Sequence, residues 1–197
     1  MTSPQGRPFH IKPLAARLVS GNPHKLVELR AALPGWQIEL LASDEPPPEE
    51  GEVSYYENAR AKAAFGRGGG AWSLGEDSGI EVAALGGRPG VLTARYAPSG
   101  PEANAKLLAE LGGVADRRAR YVCELVALSP EGVEARGTGI LEGAIAAAPS
   151  GSGGFGYDPV FVPVGETRTV AELGDEWKRE QSHRARAARA LADALIA

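Results

Sequence analysis

Gly75–Ala97 reads GEDSGIEVAALGGRPGVLTARYA, and the adjacent carboxylates Glu76 and Asp77 near its start govern the reading of the whole chain. One apolar run ends just before them (Ala71, Trp72, Leu74) and another begins just after (Ile80, Val82, Ala83, Ala84, Leu85). This pattern predicts a buried strand that reaches the surface at the acids and turns at Ser78-Gly79. Carboxylates at a strand end, beside a glycine that admits a ligand to the backbone, are common in metal and phosphate sites. Taken alone, EDSG is more simply a solvated acidic turn, so its neighbours must decide.

Upstream, Arg17–Ser20 reads as the end of a first strand, and Gly21-Asn22-Pro23 turns the chain. Asn22 is a good N-cap and Pro23 suits the first helical position. Leu26, Leu29 and Leu33 then recur at helical spacing until Pro34-Gly35 stops the helix. Trp36–Ala42 reads as a strand, and Asp44–Glu52 as an acidic, proline-rich loop. Ser54-Tyr55-Tyr56-Glu57 fits a capping box, predicting a helix that carries Asn58, Lys62 and Phe65 and ends at Gly66–Gly70. Downstream, Pro89-Gly90 breaks the chain. Glu102–Leu111 is an amphipathic helix with Ala103, Leu107, Leu108 and Leu111 inward. Strands follow at 120–129 and 132–147 around a Pro130-Glu131-Gly132 turn, then a glycine loop at 151–156, a short strand at 160–162 and a helical turn at 175–180. Ser182 caps a last helix with Ala185, Ala188, Leu191, Ala192 and Leu195 on its apolar face. No segment repeats. Strands alternating with helices, plus one hairpin, give an α/β class with a mixed sheet.

The 197 residues fit one domain or two closely packed lobes, and 43% hydrophobic content allows a sizeable core. A net charge of −4 gives no basic excess to hold nucleic acid. No apolar run approaches a membrane span. The single cysteine, Cys123, has no partner for an internal disulfide and lies in an apolar run, as a buried structural thiol does; this suits a reducing cytoplasm. Residues 1–16 lack the apolar core of a signal peptide and read as a disordered N-terminal extension, leaving the domain at 17–197. Charge is uneven. Residues 31–59 hold seven acids and no Lys or Arg, whereas Lys178, Arg179, Arg184, Arg186 and Arg189 cluster near the other end. These segments suit a metal and an anion respectively, or are two solvated faces.

Ser20-Gly21-Asn22-Pro23-His24-Lys25 joins a strand to a helix N-terminus, where free N–H groups and the positive dipole end favour an anion. Lys25 sits where a helix would not choose a cation for its own stability, which favours phosphate binding. The segment is not a P-loop, since no Gly-Lys dipeptide occurs in the chain. Glu49-Glu50 either ligates a metal or keeps its loop soluble. Lys62 lies one turn after Asn58, so both can meet a phosphate. Gly151–Gly156 fits G-x-G-x-x-G, but Tyr157-Asp158-Pro159 follows where a helix should open, so the dinucleotide reading is rejected. Phe155 and Tyr157 on that loop suit stacking on a base, with Asp158 as an acceptor; the alternative is a glycine turn with two core aromatics. His183 and Arg184 stand at a helix N-terminus, where cations need an acceptor.

Together these segments resemble the Ham1 or inosine triphosphate pyrophosphatase family. The resemblance rests on SGNPHK at 20–25, YYENARAKA at 55–63, EDSGIEVAALGGRPGVLTARYA at 76–97, GSGGFGYDPVF at 151–161, and AEL, WK and SHRARA between 171 and 187. It implies a two-lobed Ham1/Maf-like α/β fold with a long mixed sheet and a central cleft, a magnesium requirement, and a cytoplasmic homodimer. The implied reaction is hydrolysis of non-canonical purine nucleoside triphosphates (ITP, dITP, XTP) to the monophosphate and pyrophosphate, which cleanses the nucleotide pool. Carried over by position, the phosphate loop is Ser20, Gly21, Asn22, Pro23, His24 and Lys25, with Lys62 beside it. Glu50 and Asp77 hold the metal, with Glu76 a candidate further ligand. Asp77 is catalytic and Ser78 touches substrate. Phe155, Gly156, Tyr157 and Asp158 form the base loop, and Lys178, His183 and Arg184 contact the base. Two departures stand out: the first acid of the usual aspartate pair is Glu76, and Ser20 replaces a commoner threonine. A pyrophosphatase of pyrimidine or canonical triphosphates and a nucleotide-binding regulator are the rival expectations.

Overall fold

The computed structural model describes residues 14–196. The central strand β3 (Trp72–Val82) is a single unbroken element of 11 residues. It runs parallel to β1 (Leu14–Val19), which runs parallel to β2 (Trp36–Leu40). On its other side β3 is antiparallel to β4 (Arg118–Leu128), β4 to β5 (Glu134–Ile145), and β5 to the short β6 (Phe161–Pro163). The sheet order is β2-β1-β3-β4-β5-β6, a mixed sheet as expected.

This corrects the reading of EDSG as a turn. Residues 76–79 lie mid-strand and pair with β4 from Ser73↔Leu128 to Val82↔Ala119. Because strand side chains alternate between faces, Glu76 and Asp77 point to opposite sides of the sheet. Both are buried, at 1% and 3% exposure.

The helices are α1 (Pro23–Ala32), α2 (Tyr55–Phe65), α3 (Gly100–Glu110), α4 (Val170–Gln181) and α5 (His183–Ala194). α1 starts as its sequence dictates: Asn22 is the N-cap, its side chain accepts from the His24 N–H, and Pro23 leads. Ser54 caps α2 by accepting from the Glu57 N–H. α4 starts earlier than the helical turn expected at 175–180. Thr169 and Glu172 form a reciprocal capping box there, and Gly174 (φ 81°) interrupts the helix. Residues 158–160 form a 3-10 turn, which shifts the last strand to Phe161. β1 begins at Leu14, ahead of the boundary expected at residue 17; the rest of the expected N-terminal extension lies outside the described residues.

On the Glu76 face, two hydrophobic cores sit at opposite ends of the central strands. Leu18, Leu29, Leu74, Leu125 and Leu191 belong to one, and Ile80, Leu107, Tyr121, Val160 and Phe161 to the other. β3 threads both, with Glu76 and Ser78 in the gap between them. On the opposite face, Ala59 and Ala63 of α2 pack on Val126 and Leu128. Cys123 is buried, as expected. Among the described residues no helix is long and apolar enough to cross a membrane.

Candidate active site

Two glycines let helices touch the sheet. A Cβ on Gly75 would lie 1.9 Å from the Ala59 carbonyl oxygen, and one on Gly139 would lie 1.9 Å from that of His183. α2 and α5 therefore approach the strands more closely than any side chain would permit, and their polar residues reach the acids of β3.

On the α2 face, Asp77 meets Lys62 and Asn58. Lys62 Nζ lies 3.2 Å from Asp77 Oδ1 and 3.1 Å from the Glu76 carbonyl oxygen, and it also pairs with Glu50 Oε1. Asn58 Nδ2 donates to Asp77 Oδ2 at 3.0 Å. The ammonium of Lys62 thus stands between the two carboxylates expected to hold metal. Burial raises the Asp77 pKa; Lys62 and the Asn58 hydrogen bond pull it back, while Glu50 and Glu76 add to the rise. Among the described residues, no three His, Cys, Asp or Glu side chains group to hold a metal ion. Two carboxylates alone suit Mg²⁺, which often takes one or two and completes its shell with water and phosphate.

On the other face, Glu76 is surrounded by cations. Lys25 Nζ lies 2.5 Å from Oε2, and Arg184 Nη2 and Nε lie 2.8 and 3.2 Å from Oε1. Against the cost of burial, Arg184 and Lys25 hold its pKa well below the ordinary carboxylate range. Arg184 also donates to Ser78 Oγ at 3.1 Å and pairs with Glu28. Glu28 in turn pairs with Lys178 at 2.5 Å, and Lys178 with Asp158 at 2.7 Å. Asp158, Lys178, Glu28, Arg184, Glu76 and Lys25 thus form one chain of alternating charge from the glycine loop to the phosphate loop.

That chain borders a cavity of about 300 Å³ lined by Asn22 and Lys25 together with Phe155, Gly156, Tyr157, Asp158, Lys178, His183 and Arg184. Ser78 and Gly79 form part of its wall, as do Thr93, Ala94 and residues 97–100. His183 stacks on Tyr121 with ring centroids 4.5 Å apart, and its Nδ1 has no partner. Burial and the nearby Arg184 push its pKa down to about 3, so the imidazole is neutral. Phe155 is half-buried and stacks on His24 at 5.1 Å. Ser20 Oγ accepts from the Asn22 N–H at 3.1 Å, fixing the turn before α1, while Gly21 and Pro23 face solvent.

Several expectations change here. Tyr157, expected to stack beside Phe155, is buried in the second core and reaches the cavity only as wall. Asp158, expected to accept from a ligand, already accepts from Lys178 and, at 2.9 Å, from the Phe155 N–H. Glu50, Lys62 and Asp77 do not line the cavity and form their own group on the far face of β3. Of the basic cluster, Arg186 and Arg189 donate to the Gln181 and Glu180 carbonyls at the end of α4. Sequence reasoning missed Glu28, although it lies one helical turn after Lys25 and so on the same face. It also missed Asn58 as a partner of Asp77 and Tyr121 as the platform of His183.

Lys25 in the first turn of α1, lining a cavity together with Lys178, His183 and Arg184, marks an α/β protein suited to an anionic ligand. The chain belongs to the Ham1 family, whose profile matches residues 16–194. It is 44% identical over 177 residues to a dITP/XTP pyrophosphatase of Gloeobacter violaceus, covering 88% of this chain and 90% of the relative. It is 43% identical over 186 residues to a dITP/XTP pyrophosphatase of Thermus thermophilus, covering 90% and 89%. Among solved structures, a HAM1 protein from Coxiella burnetii matches with a TM-score of 0.78 at 33% identity, over 93% of this chain and 98% of that one.

Proposed function

We propose that this chain, a nucleoside triphosphate pyrophosphatase, hydrolyses the non-canonical purine nucleotides ITP, dITP and XTP to the monophosphate and pyrophosphate, using Mg²⁺ held by Glu50 and Asp77. The observation that carries the reading is the cavity that Lys25 lines together with Phe155, Lys178, His183 and Arg184. Family membership and the names of the relatives support the same reaction.

Bound Mg²⁺ would supply charge neutralisation at the phosphate oxygens and polarise the bond to be broken. Asp77, oriented by Asn58 and made more basic by its buried surroundings, accepts the proton of the attacking water. Lys62, paired with both carboxylates, adds positive charge beside them. Lys25, at the start of α1 and lining the cavity, grips the leaving pyrophosphate. Glu76, already engaged by Lys25 and Arg184, anchors those cations and is not a metal ligand.

Selectivity rests on the base. Inosine and xanthine present a 6-oxo acceptor where adenine presents an amino donor. Lys178 and Arg184 set donors toward the base, which an adenine amino group would meet with a second donor and a 6-oxo group with an acceptor. We place the enzyme in the cytoplasm as a homodimer; the lone reduced Cys123 suits the first, and light scattering tests the second. The deciding experiment is pyrophosphate release with Mg²⁺ from ITP, dITP, XTP, GTP, ATP, dUTP and dTTP in parallel. Preference for the first three is expected. Preference for the pyrimidine nucleotides would overturn the base assignments, and no release from any would overturn the reaction.

A further inference from the structure

We propose that Asn58 is a positioning residue: its side-chain amide clasps the acidic loop at Gly51 and so sets Glu50 opposite Asp77. The inference rests on the roles given above to Glu50 and Asp77.

Glu50 sits on a loop of prolines and glutamates that belongs to no helix or strand. Such a loop has no hydrogen-bond ladder to fix it. Asn58 supplies what the loop lacks. Its Oδ1 accepts from the Gly51 N–H at 2.7 Å, and its Nδ2 donates to the Gly51 carbonyl at 3.1 Å. The other hydrogen of the same Nδ2 donates to Asp77 Oδ2 at 3.0 Å. One amide therefore holds both backbone groups of the residue after Glu50, together with the carboxylate across from it. Asn58 is 5% exposed, so little water competes for these bonds.

The anchor is itself fixed. Asn58 is on α2, which the missing Cβ of Gly75 lets press against β3. Lys62 lies one turn further on the same face and binds the same two carboxylates through charge. Asn58 does the complementary work through a neutral group. Only an amide of this length offers one acceptor and two donors here: Asp lacks the donors and would set a like charge against Asp77, and Ala leaves the Gly51 N–H and the Asp77 oxygen unpartnered.

The test compares wild type with N58A and with G51P, which removes the Gly51 N–H that Asn58 Oδ1 accepts. In N58A the Gly51 amide should exchange with solvent about tenfold or more faster. Mn²⁺ binding without nucleotide, read by electron paramagnetic resonance, should weaken about 10–100-fold in both variants. kcat should fall about a hundredfold with KM within about threefold, because the phosphate loop and base cluster are untouched. Unchanged Gly51 exchange in N58A, or retained Mn²⁺ affinity and kcat in either variant, overturns the proposal. If N58A does not fold, G51P decides by Mn²⁺ affinity and kcat. The exchange and Mn²⁺ readouts need no substrate. Should wild type hydrolyse no triphosphate while both effects persist, the functional reading fails and the clasp stands.

Discussion

Glu76 and Asp77 are neighbours in sequence and opposites in circumstance. Glu76 faces α1 and α5, where Lys25 and Arg184 saturate it and hold it ionised. Asp77 faces α2, shares the single ammonium of Lys62 with Glu50, and has its pKa raised by burial and by nearby carboxylates. One peptide bond separates a saturated counter-ion from a carboxylate whose pKa burial raises. The strand's two-residue period makes the division, and it teaches that adjacent acids need not share a site.

The largest expected effect falls on the Asp77 side. Asp77→Asn should bind ITP yet lose about 10²–10⁴ of kcat, the range a positioned general base supplies; near-normal turnover in a steady-state assay would erase the functional difference between the faces. Glu76→Gln leaves the Arg184 and Lys25 charges under-compensated in a buried setting, so urea unfolding should show a loss of about 3–5 kcal/mol. A stable Glu76→Gln protein that instead loses divalent-cation affinity would make Glu76 a metal ligand after all. Gly75→Ala must push α2 off β3; about 1–3 kcal/mol of stability should go, with kcat falling disproportionately because Asn58 and Lys62 move with the helix. The smallest effect separates the faces by pH. His183 is held neutral when folded, with its pKa near 3 against 6.5 in the unfolded chain. The unfolded state therefore binds the proton first as pH falls. His183's contribution to stability is complete above the unfolded value and is lost towards the folded one, at up to about 1.4 kcal/mol per pH unit. Denaturation midpoints between about pH 7 and pH 5, above the ordinary carboxylate range, should flatten in His183→Gln.

Much of this was legible beforehand because local chemistry decides it. Asn22-Pro23 and Ser54 cap α1 and α2 as their residue types require, and the proline that follows the glycine loop excluded a dinucleotide fold. EDSG failed because polarity was read as exposure. A buried polar stretch survives only when partners neutralise it, and those of Glu76 come from Lys25 and Arg184, at opposite ends of the chain. Glu28 was hidden for the same reason: the helix pattern shows its face, while Lys178 and Arg184 arrive from far downstream. Gly75 and Gly139 carried no signal at all, since their importance is a distance to another element's backbone.

The run of alternating charges from Asp158 to Lys25 has a kinetic corollary. On the proposed function, a 6-oxo purine that takes a hydrogen bond from Lys178 would compete with Glu28 for that ammonium, and Arg184 links Glu28 to the Glu76 that Lys25 also holds. Base recognition would then be coupled electrostatically to the grip on pyrophosphate, and discrimination between ITP and ATP should register in turnover as much as in affinity.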